Sequence, residues 1–96
     1  MPASIIDIIM DNAYRQIKTM VSGPQALQTL HNLIMLGGMN LVKCGQLSSF
    51  LSCTEDIQCY GALIVTVTYQ EFWPLEVKSV TKEYPYLDWK GDYDDV

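Results

Sequence analysis

The apolar residues change their period once along this chain of 96 residues, and that change limits what it can fold into. Early on they recur every three or four positions. Ile6, Ile9, Ala13, Ile17 and Met20 form one stripe, widened by Ile5, Met10, Tyr14 and Val21, and Leu27, Leu30, Leu33 and Ile34 form a second. That spacing is the apolar face of a helix. Later the period becomes two. Between Tyr60 and Tyr69, Leu63, Val65, Val67 and Tyr69 alternate with Ile64, Thr66, Thr68 and Gln70, the pattern of a strand with one buried face. Helices followed by strands, rather than strands alternating with helices, indicate an α+β domain. The expected fold is two N-terminal helices packed on a small antiparallel sheet, with an extended C-terminal arm. A single domain over residues 1–83 and an arm over 84–96 are expected, since this length holds only one core.

Local signals set the expected element limits. Ser4 and Asp7 have the Ser-x-x-acid form that caps a helix start, and Ser22-Gly23-Pro24 separates two helices, so the first is predicted over 4–21. Gly37-Gly38 is expected to end the second helix, with a hairpin around the two glycines as the alternative. Met39–Cys44 reads as either strand or helix, and Leu47, Phe50 and Leu51 have helical spacing. Gly61 within the strand pattern suggests a bulge or a close backbone approach. Leu75–Lys82 reads as either a returning strand, favoured by its β-branched residues, or a short helix opened by Pro74, and Tyr84-Pro85-Tyr86 ends it.

Charge is unevenly placed. Residues 1–82 hold six acids and five bases, whereas residues 83–96 hold five acids and one base, so the end carries most of the net charge of −5. A near-neutral body with an acidic end lacks the basic stripe that neutralises phosphates, which argues against direct nucleic-acid binding. The most apolar stretch, Leu27–Leu51, is interrupted by His31, Asn32, Asn40, Lys43 and Gln46, so no membrane span is expected. Three cysteines and no basic leader point to a reducing, intracellular setting, either a host cytoplasm or a virion.

No catalytic motif emerges. Cys44, Cys53 and Cys59, with His31 upstream, form a conceivable zinc set, but neither cysteine spacing is the short knuckle that pre-forms half a tetrahedron. The cysteines are therefore expected as buried small hydrophobes and His31 as a residue at the edge of a helix's apolar face. Gly37-Gly38 lacks the Lys-Ser/Thr of a phosphate loop. No enzyme activity, cofactor or metal is expected.

The C-terminal arm is the least ordinary segment. Tyr84, Tyr86, Leu87, Trp89 and Tyr93 are interleaved with Asp88, Asp92, Asp94 and Asp95. Large rigid aromatics dominate binding hot spots, and carboxylates steer toward basic surfaces, so these nine residues are the expected partner-binding set, the alternative being a solvated tail whose Tyr86, Leu87 and Trp89 fold back onto their own domain. With a thin core and 49% hydrophobic residues, the chain is expected to complete its burial against a protein partner or further copies of itself. The sequence therefore suggests a non-enzymatic assembly or interaction protein, such as a phage or viral structural adaptor that contacts neighbours through its arm and sheet. The alternative is an acidic inhibitor, of the phage anti-defence or immunity type, that blocks a basic site on a partner.

Overall fold

A computed structural model describes residues 4–20, 23–58 and 61–85. Two helices, α1 (Ile5–Ile17) and α2 (Gly23–Lys43), precede three strands, β1 (Ser49–Ile57), β2 (Ala62–Gln70) and β3 (Val77–Pro85). The strands form one antiparallel sheet in the order β1-β2-β3. The fold is the α+β arrangement that the change of period predicts. The arm residues Tyr86, Leu87, Asp88, Trp89, Asp92, Tyr93, Asp94 and Asp95 lie outside the described residues.

The start of α1 is the predicted capping box. The Asp7 N–H donates to the Ser4 hydroxyl at 3.1 Å, and the Ser4 N–H donates to the Asp7 carboxylate. The helix is shorter than expected, because the Met20 N–H turns back to the Ile17 carbonyl and closes the chain into a turn. Its buried stripe is Ile6, Met10, Ala13 and Ile17.

The expected break at Gly37-Gly38 does not occur: α2 continues to Lys43, which also excludes the hairpin. The glycines serve packing instead. A Cβ on Gly38 would sit 2.3 Å from the Phe50 ring of β1, and one on Gly37 would sit 3.0 Å from Ile9 of α1. Both neighbours approach the helix backbone closely, and only the missing side chains allow it. The helix ends at Lys43, and Gly45, about two turns beyond Gly38, has a φ of +79°. Its N–H donates to the Val42 carbonyl and that of Gln46 to the Leu41 carbonyl, the paired bonds of a Schellman cap.

β1 was not apparent from the sequence, where Leu47, Phe50 and Leu51 suggested helix. The reason is a bulge. Phe50 pairs with Tyr69 and Ser52 with Thr68, so Leu51 is extra and the inward positions Phe50 and Cys53 fall three apart. Cys44, expected to be buried, is exposed because it caps α2 beside Gly45, whereas Cys53 is buried. Gly61 marks neither a bulge nor a close approach: at φ +89° it ends the β1–β2 turn, and its N–H donates to the Gln58 carbonyl.

The core lies between the helices and one face of the sheet. Leu63, Val65, Val67 and Tyr69 of β2 meet Met10, Ile17, Leu30 and Ile34 there. α2 lies over β1 and α1 over β3. The other sheet face carries a polar row, with Thr66 bonded to Thr81 at 3.1 Å and Thr68 to Ser79 at 3.2 Å. β3 starts later than expected, at Val77, and runs through Tyr84 to Pro85.

Candidate functional site

Two regions offer chemistry that packing alone does not use. The first lies where α2 crosses β1. His31 stands one position after the buried Leu30, so its ring reaches the edge of the helix's apolar face. Cys53 and Glu55 are two apart on β1, so both side chains point to the helix side. The Glu55 carboxylate oxygen Oε2 accepts twice: it lies 2.9 Å from His31 Nδ1 and 3.0 Å from the Cys53 thiol, which donates to it. The three donor atoms lie within 4.8 Å of one another. Beside them is an open hollow of about 400 Å³ lined by Pro24, Leu27, Gln28, His31 and Glu55.

The trio is not arranged as a cysteine nucleophile with its base. Such a pair needs the thiol on the imidazole and a lowered thiol pKa. Here the thiol is bonded to the carboxylate, and burial, reinforced by the Glu55 bond, pushes its pKa up. The thiol is thus a donor to Glu55 and not to the imidazole.

Of the zinc set considered from the sequence, the structure brings together only His31 and Cys53. Cys44 is exposed at the end of α2, and Cys59 lies outside the described residues. Glu55 was missed as the third member. A Cys-x-Glu pair on one strand face is the available signal, but it is visible only once β1 is recognised as a strand.

The second region is the β2–β3 connection. Phe72, Trp73, Leu75 and Val77 are all exposed there, Trp73 at 91% and Leu75 at 62% of their full surface. The exposed Leu51 of the β1 bulge sits at the same end of the sheet, since Ser49, Gln70 and Val77 are in register. Lys78 and Glu71 pair at 2.7 Å across the base of the connection, and Glu76 is exposed beside Leu75. A separate apolar hollow of about 420 Å³ lies on the outer side of α2, lined by Leu36, Met39, Asn40, Val42 and Lys43.

Tyr84, the first of the nine partner-binding candidates, is buried. Its ring stacks on Tyr14 at 4.4 Å between centroids, and its hydroxyl donates to Asp11 at 2.6 Å. Lys82 reaches the same Asp11 oxygen at 2.8 Å, and the Tyr14 hydroxyl donates to the Pro85 carbonyl. The Lys82 bond, followed by that of Tyr84, holds the Asp11 carboxyl below its ordinary pKa. Burial, then Asp11, pushes the Tyr84 phenol up. This cluster ties β3 to α1. No helix among the described residues is long and apolar enough to cross a membrane. No protein-family model matches the chain, and neither does any curated protein or solved structure.

Proposed function

We propose that this protein is a non-enzymatic assembly subunit that binds further copies of itself, with the exposed β2–β3 connection of one copy seated on the outer face of α2 in the next. The observation that carries this reading is the exposure of Phe72, Trp73, Leu75 and Val77 side by side. A small monomer rarely leaves so much contiguous apolar surface in water, and a tryptophan on such a patch is a typical hot spot. The apolar hollow on α2 is the receptor this reading assigns. Lys43 stands at its wall, and the connection carries the exposed acid Glu76. A contact between two different patches joins copies head to tail and generates rings or filaments. That growth mode suits a particle component such as a phage or viral adaptor.

Size-exclusion chromatography with light scattering tests this. The full chain should be larger than a monomer at about 100 μM, well above the micromolar affinities typical of weaker standard interfaces. Trp73→Ala should return it to the monomer. Lys43→Glu and Glu76→Lys should each weaken the assembly, and the two together should restore it. A wild-type chain that stays monomeric, or an assembly indifferent to Trp73, overturns the reading. Asp11 and Glu71 are both paired with lysines, so neither of them adds to the inhibitor alternative.

A further inference from the structure

We infer that His31, Cys53 and Glu55 form a binding site for a divalent transition-metal ion of the zinc type. The three donors are of different kinds and come from two elements, with the imidazole on α2 and the thiol and carboxylate on adjacent inward positions of β1. Their reactive atoms already converge within 4.8 Å. A tetrahedral zinc ion holds sulfur at about 2.3 Å and nitrogen or oxygen near 2.0–2.2 Å, which places neighbouring donor atoms about 3.3–3.7 Å apart. The present separations of 2.9 and 3.0 Å to Glu55 Oε2 are shorter than that. An ion would need the carboxylate oxygen to shift outward and the imidazole and thiol, within 4.8 Å of each other, to close to about 3.5 Å, an adjustment of three side chains.

The donor set selects the metal. A thiolate with an imidazole prefers zinc or cobalt, whereas magnesium and calcium prefer sites made of oxygen alone. When the ion binds, the sulfur–metal bond replaces the S–H bond, and the proton leaves to solvent. Burial of Cys53 protects the sulfur, while His31, at 35% side-chain exposure, and the hollow beside it leave an entry path and an open fourth position. Water fills that position, as in zinc sites with three protein ligands. Sequence spacing argued against zinc because it asked for a knuckle among the three cysteines. The helix crossing supplies the convergence that the missing knuckle would have supplied.

The test is titration of the reduced full-length protein with cobalt(II), read by absorption. A cobalt–thiolate bond gives a charge-transfer band in the near ultraviolet, and tetrahedral geometry gives intense visible bands. One equivalent should saturate both, and zinc should displace them. Cys53→Ser should abolish the charge-transfer band. His31→Ala, a change at a partly exposed helix position, should weaken cobalt binding by at least tenfold while the far-ultraviolet circular dichroism stays that of the folded chain. The double variant Cys44→Ser/Cys59→Ser should bind as the wild type does. No saturable band, a band that survives Cys53→Ser, or a band lost in the Cys44/Cys59 variant each overturns the site.

Discussion

The two helices meet the sheet along seams of different kinds. Where α2 crosses β1, beside the His31–Glu55 pair, the closest contact is steric: the Phe50 ring lies on the bare backbone at Gly38, leaving no room for a methyl group. Where α1 meets β3, it is aromatic and ionic: Tyr84 stacks on Tyr14, and Asp11 collects bonds from Tyr84 and Lys82. The Gly38–Phe50 contact of the first seam depends on shape and should ignore pH. The second depends on protonation states and should not. Close packing tolerates little added volume, whereas a hydrogen-bonded cluster at the edge of the core loses one contact at a time.

The strongest way to break this contrast is Gly38→Val. A branched side chain there must displace the Phe50 ring, and the expected loss is about 3 kcal/mol in urea unfolding, the upper range for overpacking. Gly38→Ala should cost less, and adding Phe50→Leu should recover part of it. Unfolding of Gly38→Val at the wild-type midpoint would remove the steric account.

Tyr84→Phe comes next, with an expected loss of about 1.5 kcal/mol for a bond to a charged group. Its pH dependence sharpens the comparison. Asp11 has a lowered folded pKa, so its contribution is present above the unfolded value near 4 and is lost as pH falls through the folded value. Tyr84 has a raised folded pKa, so its contribution is present below about 10 and is lost as pH rises beyond that. Stability measured across pH should fall at both ends, and Asp11→Asn should flatten the acid limb. An Asp11→Asn protein with an unchanged acid limb would show that this seam is not the pH-sensitive one.

Smaller effects mark the limits of the steric seam. Gly45→Ala, at a positive φ with open space around it, should cost about 1 kcal/mol through backbone strain alone. Thr68→Val on the face without helices should change stability by less than about 0.5 kcal/mol, the usual range for surface sites. A larger loss would mean that the threonine row contributes as much as the seams do.

Much of the first seam was hidden in the sequence, while parts of the second were legible. Ala13, Ile17 and Tyr14 announce α1 by spacing, and Val77–Lys82 announces a strand by β-branched content. Gly37-Gly38 misled because two glycines break a helix when nothing packs on them, and here Ile9 and Phe50 do. β1 was missed because the bulge at Leu51 replaces a period of two by a spacing of three. The candidate site shared that fate. His31 and Cys53 were both noted, but Glu55 could join them only through the register of a strand not yet recognised.

By itself, the sequence determined the helices at the start, the alternating strand in the middle and the neutral body with an acidic end. These follow from residues near one another along the chain, where periodicity and capping act. Only the tertiary structure decided that two glycines are packing surfaces, that Tyr84 belongs to the core, and that a histidine, a cysteine and a glutamate share one oxygen. Each depends on the approach of elements distant in sequence, and close approach is set by the space left after the core has packed.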